Sequence, residues 1–486
     1  MMRRIVLSLT IAVLGTSVCH ADNPVKTPRP VPATRTEMKE LLEDMKRRPH
    51  RIPLPQLSDE EKHELAERAD NYESRLRYHY VPPAEGTVFG AGGIRSGSGG
   101  EKGAQRTGNS PGANTPRRDF RRNADENMTL TYQFKTMLFW IVARTNNCQY
   151  CLGHQEWKLS EVGMSDDSIA ALDADWSVYS ESEQAAFAYA RLLTFEPHRL
   201  SDEIISSVAE HYTPLQILEM TMSVGGNNAI NRWKEGIGVR QSAGNTFRLR
   251  ADSGVPAVAA EQSDTFVTPT SDRFRKAVSI VAPLEIFRGK PTGQVLSTRP
   301  EPETREVVQE RIKAAAERTA RMPLVDESLA AAWLKESEQT IPVTNWVRLI
   351  ANFPNEGRGR LASLTSRERQ TGDLTELQKA QLNWITARQD RAWYAVGQAY
   401  RKLLTLGQSE DQIFALDGDW RELSEADQAL FRFARNLAAS PIAATDEDAA
   451  VALKSSGPAR VVQVINHVAS CAWFNRVTEA AGLPLE

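Results

Sequence analysis

Cysteine is scarce in this chain, with four residues in 486. That excludes a disulfide-laced scaffold, which needs a dense set of bridges. An excess of charge of either sign is also missing, since 59 Lys and Arg stand against 62 Asp and Glu for a net charge of -3. Without a basic surplus the chain has no electrostatic footprint for nucleic acid. Beyond the N-terminus no apolar run reaches the roughly 18 residues of a membrane-spanning helix, so no transmembrane helix is expected. Alternating strand patterns are nearly absent. What is present is 41% hydrophobic and 25% charged residues, the balance of a globular protein, arranged largely at helical period. The expected fold class is all-α.

Residues 1–21 read as a secretory signal. Arg3 and Arg4 form the basic region, Ile5 to Val18 the apolar core, and Cys19-His20-Ala21 a small-residue cleavage site. Export to a periplasmic or extracellular space is expected; lipid anchoring on Cys19 is the alternative, though Ser17-Val18 is a poor approach to it. Cys148, Cys151 and Cys471 then remain, and an oxidising compartment would hold the first two as a resting disulfide.

Two of these cysteines and a histidine fall within Asn146-Asn147-Cys148-Gln149-Tyr150-Cys151-Leu152-Gly153-His154-Gln155. Upstream, Leu130, Phe134, Met137, Leu138, Ile141 and Val142 recur at helical spacing, and Asn147 is the candidate N-cap of a second helix. Both cysteines are then expected in its first turn, where the helix dipole favours thiolate. His154 lies one further step along the same face. A c-type haem site would need His where Leu152 stands, and a thioredoxin site would need a preceding strand. Zinc would find three ligands, Cys148, Cys151 and His154, but no fourth, so no metal or cofactor is expected. A passive structural disulfide in a helical assembly module stays open as an alternative.

This arrangement resembles the carboxymuconolactone decarboxylase family and, within it, the alkylhydroperoxidase D branch. The resemblance rests on Trp140-Ile141-Val142-Ala143-Arg144, on the Cys148-Gln149-Tyr150-Cys151 motif, and on Asn231-Arg232 ahead of Gly236 and Gly238. It implies an all-helical fold and a thiol peroxidase or disulfide relay, acting on a hydroperoxide or disulfide and recharged by a thiol reductant. In that chemistry Cys151 attacks and Cys148 resolves, with His154 or Gln155 assisting proton transfer and Tyr150 and Asn231 in support. It also implies a homo-oligomer. Two positions depart from the pattern: the family histidine falls on Gln155, one place after His154, and the relay glutamate falls on Thr136. The family's lyase branch keeps Glu and His in place of the cysteines.

The chain also repeats itself. Residues 140–238 match residues 384–482 at a constant offset of 244 without a gap, Trp140 falling on Trp384, Tyr150 on Tyr394, Gly153 on Gly397, and Asn231-Arg232 on Asn475-Arg476. Cys148 falls on Ala392, Cys151 on Ala395 and His154 on Gln398, so the second copy is expected to be redox-silent and to cover the first or complete an oligomer.

The expected organisation is a linker and short helix over 22–57, a redox-type domain over 58–249 with a Gly-rich insertion at 82–118, a linker over 250–275, and the degenerate copy over 276–486. Ser58-Asp59-Glu60-Glu61 is a capping box expected to open a helix of about twenty residues. Ser180 with Glu183, and Thr213 before Pro214, mark two more helix starts. Arg117, Arg118, Arg121 and Arg122 read as a solvated face. His63, His79, His198, His211 and His467 are scattered without ligand spacing.

Overall fold

A computed structural model describes residues 26–82, 123–241, 270–284, 302–369, 372–418 and 420–486. The expected signal segment, most of the Gly-rich insertion with its arginines, and most of the 250–275 linker lie outside them. Among the described residues the structure is helical and contains no strand; one isolated bridge joins Thr34 to Val278. No described helix is long and apolar enough to cross a membrane.

In chain order the helices are α1 (Arg35–Asp44), α2 (Asp59–Leu65), α3 (Tyr72–Tyr80), α4 (Tyr132–Thr145), α5 (Gln149–Glu161), α6 (Asp166–Ala174), α7 (Glu181–Phe195), α8 (Asp202–Ala209) and α9 (Pro214–Ile237). They continue as α10 (Asp272–Arg275), α11 (Arg305–Ala316), α12 (Glu327–Glu336), α13 (Asn345–Ile350), α14 (Pro354–Arg369), α15 (Glu376–Asp390), α16 (Trp393–Thr405), α17 (Glu410–Ala415), α18 (Glu425–Ala438) and α19 (Asp446–Ala480).

Local sequence explains most of the boundaries. Ser180 accepts from the Glu183 amide while Glu183 reaches back, and Thr213 does the same with Gln216 ahead of Pro214. The Ser58 box also forms, but the expected twenty-residue helix does not. Ala66 takes a φ of 47°, which stops α2 after seven residues, and Asn71 caps a separate α3. That break lets α3 turn back onto α9, where Tyr72 Oη donates to Ile237 O at 2.9 Å.

The helices of the two copies recur at the offset seen in the sequence. Gln149–Glu161 is matched by Trp393–Thr405, and α4, α7 and the α8–α9 pair by α15, α18 and α19. The last is one helix in name only, because Gly457, at φ 77°, breaks it where α8 and α9 separate. In each copy the first long helix packs on the next, on the α7 or α18 helix, and on α9 or α19. Each also ties its first long helix to an aspartate farther along, Arg144 Nε to Asp173 of α6 at 3.0 Å and Arg388 Nε to Asp417, just past α17, at 2.9 Å.

The two copies meet along α9 and α19. Small residues allow that approach: a Cβ on Gly225 would lie 2.7 Å from Val477, and one on Gly236 would lie 2.6 Å from Ile465. Ahead of the first copy, α1 is docked through a buried polar cluster. Arg35 donates to both Glu156 oxygens at 3.3 and 3.0 Å, Lys39 pairs with Glu156 at 2.8 Å, and Trp140 Nε1 donates to Glu156 at 2.6 Å. Burial opposes the Glu156 carboxylate, but Arg35 and Lys39 outweigh it and hold its pKa below the usual carboxylate value.

Candidate active site

The turn between α4 and α5 sets the site. Asn146 ends α4, and Asn147 takes a φ of 56°, a left-handed conformation that asparagine tolerates. Its side-chain amide is tied to Pro30 O at 3.1 Å. Asn147 is therefore not the N-cap; Cys148 is, at φ -84° and ψ 92°, with no side-chain capping bond, and Cys151 is the third helical residue. The reason is the chain reversal itself. In the second copy Arg391 has a φ of 52° and Ala392 caps α16 with the same backbone, so the turn dictates the geometry whatever residues fill it.

Cys148, Cys151 and Cys471 are all free thiols here, so the expected resting disulfide is not formed. Cys148 is fully enclosed, with its sulfur 3.9 Å from Asn231 O. The expected fall in thiol pKa is reversed for Cys148: burial, then the hydrogen-bonding neighbour Cys151, then the charge of Glu235, push it up. The dipole of the helix does not overcome these. Cys151 is also largely buried but lies on the wall of a cavity of about 450 Å³.

That cavity is walled by α3, α4, α5 and α9 of the first copy and by α14 and α19 from the second part of the chain. Tyr150, Cys151, His154, Gln155 and Lys158 face it from α5. Asn231 does not; it is fully buried behind, accepting from Asn146 Nδ2 at 2.9 Å, and it braces the turn that carries Cys148. Gln155 is held to its own helix, Nε2 donating to Cys151 O at 3.2 Å. Thr136 is likewise satisfied locally, by Tyr132 O at 2.7 Å.

His154 stacks near Tyr150, ring centroids 6.4 Å apart, and near Trp157 at 5.5 Å. Burial, and then the positive charges of Lys158 and Lys234, lower its pKa from 6.5 to about 4. The imidazole is thus neutral through the physiological range, able to accept or pass a proton without carrying charge. A proton NMR titration is expected to place His154 near 4 rather than 6.5. Because the folded value is depressed, the stability it contributes is full above about 6.5 and is lost as the pH falls from there toward 4. A His154→Gln protein should lose that part of its acid sensitivity; an ordinary titration near 6.5 would contradict the buried, cation-flanked setting.

Several lining residues were not singled out by the sequence. Glu73 of α3 binds Lys234, accepts from Trp233 Nε1 at 2.7 Å, and pairs with Arg77 at 3.2 Å. Lys234 Nζ lies 4.9 Å from the Tyr150 ring centre. From the far side Arg360 of α14 pairs with Glu356 at 3.0 Å and stands 5.4 Å over the Trp473 ring of α19. The first copy positions this wall directly, since the Asp125 carboxylate accepts from the Asn355 and Glu356 amides, both at 2.9 Å, and so caps α14. Lys158 had a usable signal, as residues 151, 154 and 158 share one helix face. Arg360 and Trp473 had none, because only long-range packing brings them here.

The equivalent hollow in the second copy is filled. Glu486 accepts from Tyr394 Oη at 2.9 Å, Gln398 Nε2 donates to the same hydroxyl at 3.0 Å, and Leu485 packs so closely on Gly397 that a Cβ there would lie 2.2 Å from it. The C-terminal residues plug the place that stays open beside Cys151. Among the described residues no group of three or more His, Cys, Asp or Glu is gathered to hold a metal ion.

No family model matches the chain. A stretch of 105 residues, 21% of this chain, is 27% identical to 71% of an uncharacterised protein, YdfG, of Bacillus subtilis (strain 168). The similarity attaches no activity to either protein.

Proposed function

We propose that this protein is a thiol oxidoreductase of the alkylhydroperoxidase D kind, using Cys151 and Cys148 to reduce a hydroperoxide or relay a disulfide. One observation carries the reading: of two neighbouring thiols at the start of α5, Cys151 opens onto the cavity while Cys148 is sealed directly behind it. That is the order that attack and resolution require. A passive staple has no need of a cavity at one sulfur, and the second copy keeps the same turn with alanine at both positions.

In the hydroperoxide reaction the Cys151 thiolate attacks the terminal peroxide oxygen, forming S–O as O–O breaks. The leaving alkoxide takes a proton and departs as an alcohol. Cys148, as thiolate, then attacks the Cys151 sulfenic acid, forming S–S and releasing water. The net change is two thiols oxidised and one hydroperoxide reduced, and an external thiol reductant restores the pair. Neutral His154, on the same face as Cys151, is placed to relay protons in both steps.

The test is to add hydroperoxide to the reduced protein and follow thiol loss and disulfide mapping. Fast loss of two thiols with a Cys148–Cys151 bridge is expected. Oxidation no faster than that of a free thiol would return the pair to a structural role.

A further inference from the structure

The walls of the cavity hold four cationic side chains, Arg77, Lys158, Lys234 and Arg360, against two carboxylates, Glu73 and Glu356. The carboxylates are already matched. Glu73 is shared by Lys234 and Arg77 with Trp233 Nε1, and Glu356 is held by Arg360. Among the described residues the Lys158 ammonium group has no ion pair or hydrogen bond. Burial lowers its pKa, the Cys151 sulfur opposes the fall, and Lys234 lowers it further. His154 adds no counter-charge.

A partly buried ammonium group facing a second one is costly unless an anion joins them. Trp473 lines the cavity from α19 with its ring, while its Nε1 is buried beside Gly225 of α9 and finds no acceptor there. Apolar and aromatic surface is supplied by Phe139, Ile230, Trp233 and Trp473, alongside the polar Ser363, Asn466 and Ser470. A cavity of about 450 Å³ lies within the usual range for small-molecule sites.

We propose that the cavity binds an apolar molecule carrying a carboxylate, with the carboxylate paired to Lys158 and the apolar body against the aromatic walls beside Cys151. For the chemistry done on that molecule the inference rests on the thiol oxidoreductase reading, and the substrate is then a carboxylate-bearing organic hydroperoxide. The spacing suits this. Lys158 lies seven residues beyond Cys151, two turns along one helix face, or about 10 Å along the axis. A ring or short chain spans that gap and presents the O–O bond to the Cys151 sulfur.

Two measurements separate the ligand from the chemistry. In the first, decanoate and decan-1-ol are titrated calorimetrically into the Cys151→Ser protein. Decanoate is expected to bind about 10-fold or more tighter than the alcohol, with the preference lost in Cys151→Ser/Lys158→Met and kept in Cys151→Ser/Lys158→Arg. In the second, wild type and Lys158→Met are compared on cumene hydroperoxide and its ring-carboxylated analogue. The carboxylated peroxide should be favoured about 10-fold in kcat/KM by wild type, and the ratio should fall to about one in Lys158→Met. Equal binding of decanoate and decanol, or a preference that survives loss of Lys158, overturns the inference and leaves the thiol reading standing. Selective decanoate binding by a protein inert to both peroxides upholds the binding site and removes the thiol reading instead.

Discussion

Replacing Cys151 with alanine is expected to slow hydroperoxide-driven thiol oxidation by on the order of 10³-fold or more, because the variant loses the attacking atom itself. The remaining cysteines, Cys148 and Cys471, are enclosed in the fold, and burial raises the Cys148 pKa. Neither lines the cavity, so neither is placed to take over the attack on a hydroperoxide. The Cys148→Ala variant separates the two steps. It should react with hydroperoxide at a rate close to wild type and then stop, with Cys151 held as sulfenic acid that a dimedone-type probe captures. Rapid stopped-flow thiol titration of the three proteins checks the pair of outcomes. Equal rates in wild type and Cys151→Ala would sink the assignment of Cys151.

The second large effect is on stability. Where α9 and α19 cross, two arginines are fully buried, Arg232 and Arg476. Arg476 pairs with Asp390 at 3.0 Å and donates to Thr194 O of the first copy at 3.0 Å, while Arg232 donates to Ala438 O and Ser440 Oγ at 3.1 and 2.6 Å. Burial and the neighbouring Arg476 lower the Arg232 pKa, and Asp390 opposes the fall. Asp390 therefore serves both cations. Asp390→Ala leaves them facing one another in the interior, and a loss of about 3–5 kcal/mol is expected, since removing one partner of a buried pair strands the other charge. Asp390→Asn should cost less, because an amide oxygen still accepts from Arg476; the first copy holds asparagine, Asn146, at the matching place. Urea denaturation of the three proteins measures the difference. A loss under 1 kcal/mol in Asp390→Ala would show that the cluster is solvated or rearranges.

Much of this architecture was legible because it is local. The boxes at Ser180 and Thr213 needed only residues within one turn. The constant offset of 244 between copies was also visible, since matching helices start at the same spacing in both. What escaped was set by distant parts of the chain. The turn at Asn147 is left-handed because α4 and α5 must reverse, and a residue-by-residue reading assigned it the helix start instead. The helix expected from Ser58 breaks at Ala66, where no glycine or proline marks it. The cluster of cysteines and histidine was found from spacing, but its electrostatics were not. The first-turn position argued for an activated Cys148, and burial beside Asn231, with Cys151 and Glu235 as neighbours, reversed that.

One copy carries the Cys148 and Cys151 pair while the second part of the chain supplies a wall of the cavity beside Cys151, and a single chain joins both. A site shared between separate subunits comes apart when the protein is diluted. Here the covering half is part of the same chain, so its effective local concentration does not change with the amount of protein present. Turnover per chain should then hold constant down to the most dilute conditions in which the protein is assayed. On the proposed chemistry each chain passes through one two-electron cycle at a time, and the half without the Cys148 and Cys151 pair contributes a wall rather than reacting thiols.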